Sequence, residues 1–144
     1  MKKSLIRKLI LFITGYSLYI AIEVTFRGYS FPLMGLCGGL LFIGIDCINE
    51  VLPWETDLLL QGCIGSAMIT LCELIVGEIN KVHGIVMWDY SNMPLNFDGV
   101  ICVPFSLLWI GLSIVAVIVA DCINYYAFKI EPKPSYWLFG KRII

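Results

Sequence analysis

Glu73 stands between Cys72 and Leu74 in the run "LLLQGCIGSAMITLCELIVGEI", residues 58–79, where almost every neighbour is apolar or small. A carboxylate at the centre of a membrane-spanning helix costs on the order of 2.5–3.5 kcal/mol, so such a residue is expected to be paired or to serve a purpose. Glu78 follows five residues later, and Glu23 lies near the end of another apolar run, with Arg27 one helical turn beyond it. The i, i+4 spacing puts Glu23 and Arg27 on one helix face, and Arg27 is the natural partner for Glu23 or Glu73. Three chemistries are open to these groups: binding a polar solute, pairing with a buried cation, or moving a proton between a carboxylate and a bound molecule. The bland alternative is that end-of-helix charges simply reach the headgroups and water.

These residues need elements to position them. The chain has 144 residues, of which 59% are hydrophobic and 15% charged. Its mean hydropathy is +0.86. A soluble domain carries about 25% charged residues, and a chain this short cannot hide such an apolar excess in one core. Spans of about 20 mostly apolar residues cross a bilayer. Four are expected here, at about residues 9–24, 31–48, 58–79 and 100–125, in a single integral membrane domain over residues 1–144. The expected fold is all-α, a four-transmembrane-helix bundle with an ordered outer loop between the third and fourth spans. "MKKSLIRK" followed by "LILFI" has the look of a signal peptide, but the apolar run continues to Val24, so an uncleaved first span is expected.

Lysine and arginine placement sets the expected orientation. Lys2, Lys3, Arg7 and Lys8 precede the first span, and Lys129, Lys133, Lys141 and Arg142 follow the last; only Arg27 and Lys81 lie at the opposite end. The expectation is a multi-pass protein of the cell membrane with both termini, including a tail over residues 126–144, in the cytoplasm. Aromatic and basic residues in "SYWLFGKRII" suit the inner leaflet surface.

Under this topology Glu23, Arg27, Glu73, Glu78, Trp88, Asp89, Tyr90 and Asn96 gather at the outer end as a candidate binding vestibule. Asp46, Asn49, Asp121 and Asn124 form a smaller inner polar cluster. The loop "NKVHGIVMWDYSNMPLNFDG" between them is long but has turn chemistry at "SNMP" and "NFDG", so it is expected to be ordered and to cap the outer mouth. Gly35 and Gly39, Gly62 and Ser66, and Ala116 and Ala120 share the small-xxx-small spacing of close helix contacts, within one bundle or between copies.

Several classes are disfavoured. A net charge of −1 leaves no nucleic-acid footprint. The six cysteines form no C-x-x-C pair, and the single His83 cannot complete a zinc site of usual spacing. No metal and no cofactor is expected, and the cysteines read as small hydrophobes.

The run "WDYSNMPLNFDGVICVPFSLLW" resembles a motif of the small bacterial integral membrane proteins labelled putative ABC-transporter type IV, or putative ABC-transporter permease. There a W-D-Y-S, a P-x-N and a G-x-I-C-x-P-F-x-L-L-W lead into a late span. The matching residues here are Trp88, Asp89, Tyr90, Ser91, Pro94, Asn96, Gly99, Ile101, Cys102, Pro104, Phe105, Leu107, Leu108 and Trp109. The likeness extends over roughly residues 28–126. It departs at Val100, where a polar residue is frequent, and in the first span, which matches loosely. The resemblance implies a transporter component of undefined substrate.

Three functional readings follow, in descending order. The first is a permease-like transport component in the lipid bilayer. It lacks the G-x-x-x-x-G-K-[ST] phosphate loop and so depends on a separate ATPase or other membrane subunit, or on homo-oligomers for a pathway. The second is an accessory or structural membrane protein, or one that holds a lipid. The third is a membrane-embedded enzyme acting on a lipid or isoprenoid, with Glu73, Glu78 or Asp89 as acid–base groups.

Overall fold

A computed structural model describes residues 1–144. Helix α1 covers Lys2–Arg27, α2 Pro32–Asp46, the single turn α3 Ile48–Val51, α4 Leu58–Val82 and α5 Val103–Cys122, which runs on as a π-helical segment to Phe128. Two short antiparallel hairpins complete the chain: β1 (Asn96–Phe97) with β2 (Ile101–Cys102), and β3 (Trp137–Leu138) with β4 (Lys141–Arg142). Four helices, Lys2–Arg27, Pro32–Val51, Leu58–Val82 and Val103–Phe128, are long and apolar enough to cross a membrane. Large side chains such as Leu9, Leu40, Leu71 and Leu107 point outward, as in a multi-pass membrane protein whose solvent is hydrocarbon.

Local chemistry ends each helix. α1 stops at Gly28, whose left-handed φ of 80° lets its N–H cap the Val24 carbonyl. Pro32 opens α2 and Pro104 opens α5, where the missing amide proton costs nothing. Asp57 caps α4 by accepting from the Leu59 N–H at 2.9 Å.

The helices pack as two pairs, α1 with α2 and α4 with α5, and α2 joins the pairs by touching both α4 and α5. Small residues make each pair close. A Cβ on Gly35 or Gly39 would lie 2.6 Å from the ring of Tyr16 or Phe12, so the G-x-x-x-G of α2 receives α1 rather than a second copy. Gly62 fits against the Ile110 carbonyl, and the Ser66 hydroxyl donates to the Ser106 carbonyl at 2.5 Å. Ala120 packs with Leu11 and Phe42. A second apolar cluster, Ile45, Ile48, Leu58, Val117 and Tyr136, lies toward the end that holds both termini.

One boundary differs from the hydropathy reading. The fourth helix begins at Val103, because Ile101 and Cys102 pair with Phe97 and Asn96 and the Val100 carbonyl accepts from Trp88. The tail beyond Phe128 carries the β3–β4 hairpin. It folds back, burying Tyr136, and the Phe139 N–H donates at 2.5 Å to the same Asp57 carboxylate that caps α4.

Candidate functional site

Glu73, only 4% exposed, faces inward from the middle of α4 because Gly65, Ser66, Ile69 and Gly77 define the same buried stripe. One carboxylate oxygen accepts from the Tyr90 hydroxyl at 3.0 Å and the other from the Trp109 indole N–H at 3.1 Å. Tyr90 reaches it from the long loop, stacking on Phe105 with centroids 4.7 Å apart, and Phe105 leans on Trp109 at 5.9 Å. The loop is thus plugged into the bundle by an aromatic pile ending on a carboxylate. Burial pushes the Tyr90 phenol up from its ordinary pKa, which keeps it a donor.

Glu23 belongs to a second, separate knot. It accepts from the Tyr19 hydroxyl at 3.1 Å, the Arg27 guanidinium at 2.8 Å and the Ser30 hydroxyl at 2.6 Å. Arg27 also donates to the Met87 carbonyl at 2.7 Å and lies 4.8 Å from the centre of the Tyr29 ring. This ties the end of α1 to the loop, with Glu23 rather than Glu73 as the partner of Arg27.

The loop holds its own shape. The Asp89 side chain accepts from the Ser91 N–H at 2.8 Å and from the Ser91 hydroxyl, and those bonds hold its carboxyl below the usual aspartate range. Asn96 donates to the Met93 carbonyl at 2.9 Å and accepts from the Gly99 N–H at 3.1 Å. Gly99 has φ 69°, and a Cβ there would come within 2.7 Å of the Ser91 hydroxyl. Only glycine closes this turn easily. Lys81 pairs with Asp98 at 2.6 Å and depresses its pKa, while Glu78 lies beside Asp98. The Trp88 indole donates to the Val100 carbonyl at 2.9 Å.

Around these groups lies a half-open polar pocket of about 450 Å³, lined among others by Asn80, Lys81, Trp88, Asp89, Asn96 and Asp98. The residues expected in one vestibule therefore divide. Trp88, Asp89 and Asn96 line the pocket, Glu78 lies beside its Asp98, and Glu73 sits in the bundle beneath Tyr90. Glu23 forms its own knot with Arg27, which shares a neighbouring cavity with Trp88, Asp89 and Tyr90. Asn80, 6% exposed with no partner for its amide nitrogen, was not a sequence candidate.

The opposite end is closed. Asp46 accepts from Arg7 at 3.0 Å, Lys8 at 3.3 Å and Asn124 at 2.6 Å, and Arg7 also donates to Asn124 at 3.2 Å and Glu50 at 3.0 Å. Asp121 accepts from Asn49 at 2.7 Å and Tyr136 at 3.0 Å. All four inner candidates fall within this pair of networks. Asp46, Cys47 and Glu50 are close enough to share a cation, but the Lys8 ammonium, 3.4 Å from Cys47 and from Glu50, already stands among them. Arg7, Lys8 and Tyr136 escaped sequence reasoning, which treated them as membrane-surface residues. Trp109 escaped because nothing local links it to Glu73, and Tyr19, one turn before Glu23, was not among the candidates either.

No curated protein and no solved structure matches the chain. Residues 9–141 match the family described as Putative ABC-transporter type IV, the family whose motif the Trp88–Trp109 run carries, and with nearly its whole length covered the chain belongs to that family.

Proposed function

We propose that this protein is a permease-like membrane subunit of a transporter, driven by an ATPase on a separate chain. The carrying observation is the difference between its ends: a polar pocket of about 450 Å³ at the loop end, and a floor of buried charge pairs at the end of the termini. Such asymmetry suits a state that admits a solute from one side only. The basic residues beside both termini favour a cytoplasmic floor in the cell membrane. The pocket's Trp88, Asp89 and Asn96 would meet the solute, and Glu73 would sense the loop through Tyr90.

A second reading, an accessory protein that docks to other membrane proteins, draws on the same floor, since a sealed single copy offers no path across. Purification from native membranes in mild detergent separates the two. A stoichiometric ATPase in the complex supports the subunit reading, and its absence from an otherwise intact complex favours the accessory one. Orientation has its own check. In a cysteine-free background, Val86→Cys should react with an impermeant maleimide on intact cells and Lys133→Cys only after lysis; the reverse pattern would overturn the cytoplasmic floor.

A further inference from the structure

Leu11 of α1 and Ala120 of α5 share one apolar cluster with Phe42, and toward the loop end the same helices leave a gap between their side chains. The gap is a slot of about 120 Å³ opening sideways to the membrane, walled by Leu18, Ile22, Phe42, Leu112 and Val115. Tyr19 and Trp109 also line it, yet their polar atoms turn away to Glu23 and Glu73, so the slot is lined almost wholly by hydrocarbon and rings. A helix with side chains is about 10–12 Å across and does not fit such a slot. A single hydrocarbon chain does, and an unfilled slot would forfeit its dispersion contacts.

One turn nearer the loop end, along the same seam, is a second cavity of about 390 Å³, lined by Arg27, Tyr29, Trp88, Asp89, Tyr90 and Phe105 among others. It sits above the slot because Phe105 is one turn before Trp109 on α5, and Arg27 lies about 7.5 Å of helix rise beyond Ile22 on α1. Arg27 has five N–H donors; one goes to Met87 and one to Glu23, which leaves a second hydrogen on each terminal nitrogen, while Nε is buried without a partner. The guanidinium fork matches phosphate oxygens. Asp89 spends one oxygen on both Ser91 bonds and leaves the other free. A cation and an anion in one aromatic-walled cavity complement a headgroup carrying both phosphate and ammonium, and aromatic rings favour the ammonium further.

We propose that the α1–α5 seam binds one phospholipid of the phosphoethanolamine type, with an acyl chain in the slot, its phosphate at Arg27 and its ammonium at Asp89. This site adjoins the polar pocket and shares Trp88 and Asp89 with it, but it does not depend on an ATPase partner.

The test is native mass spectrometry of the full chain released from bilayers holding equal phosphatidylethanolamine and phosphatidylglycerol. One retained phosphatidylethanolamine, preferred about tenfold or more, is expected. Asp89→Asn keeps an acceptor for Ser91 and should bring the preference near parity while a lipid is still held. Leu18→Trp fills the slot and should remove the bound lipid at least tenfold, whereas Leu40→Trp, on an exposed face away from the slot, should not. If Leu18→Trp does not yield folded protein, Val115→Trp fills the slot from the opposite wall. Wild-type protein emerging bare, equal retention of the two lipids, or slot-filling variants that hold lipid as well as wild type would overturn the proposal.

Discussion

At Glu73 a carboxylate deep in an apolar helix is fully occupied, with one neutral donor on each oxygen. Removing it harms more than the two bonds, because both donors stay buried without partners. Glu73→Ala should destabilise the protein by about 2–6 kcal/mol, given about 1–3 kcal/mol for each stranded donor. Tyr90→Phe, which strands only one carboxylate oxygen, should cost less, about 1.5–3 kcal/mol. Thermal unfolding in detergent checks the order, and equal losses for the two variants would refute this account. Asp89 and Asp98 respond to acid instead. Their folded pKa values lie below the ordinary one, through Ser91 hydrogen bonds and the Lys81 contact respectively. Their contribution to loop order is therefore complete above a pH of about 3.9 and is lost as pH falls through the lower folded values. The fluorescence difference between wild type and Trp88→Phe should hold at pH 5 and change only in stronger acid; a transition near neutrality would contradict it.

Among elements, glycine placement decides which helices may approach. A Cβ on Gly38 would lie 2.5 Å from the Tyr19 Cβ and 3.1 Å from the Gly15 carbonyl, in the middle of the α1–α2 contact. Gly38→Ala must push the helices apart, and overpacking of this kind costs about 1–3 kcal/mol. Gly111, on α5, has nothing within 4 Å of its would-be Cβ. Gly111→Ala should be neutral or stabilise by about 0.5–1 kcal/mol through reduced backbone freedom. Unfolding midpoints of the two variants should move in opposite directions or differ clearly in size. If both fall alike, α1 does not pack on α2 as described.

For the whole molecule, α1, α2 and α5 are tied at one end by the Arg7 network, and α4 and α5 are tied to the loop at the other by the Tyr90 plug. The floor joins α1, α2 and the last turns of α5 through Asp46, which is 3% exposed. Arg7→Met leaves this carboxylate with Lys8 and Asn124 only; because Lys8 still balances it, the loss should fall below the ~3–5 kcal/mol of an orphaned buried charge. Arg7→Met with Asp46→Leu should recover only part of that loss, because the buried charge is gone but the fully buried Asn124 amide loses both partners. A double variant as unstable as the single one would show that the network does more than balance charge. Because the floor also closes the bundle, the single variant is expected to raise maleimide labelling at Cys122, which stands beside Asp121.

Composition, hydropathy and the Trp88–Trp109 motif were sufficient for the membrane class, the four-helix bundle and the family. Each is a property of many residues acting together, or of a run long enough to be specific. The i, i+4 pairing of Glu23 with Arg27 was legible for the same reason that helix periodicity is: its partners are neighbours along the chain. What the sequence could not determine is where distant polar atoms meet. Glu73 takes Trp109 rather than Arg27, Asp46 takes Arg7 from the far end of the chain, and Asp57 both caps α4 and clasps the tail. In a medium without water a polar group must find a protein partner, but any donor that the packing brings near will serve. Helix pairing chooses among those donors, and only the tertiary structure contains that choice.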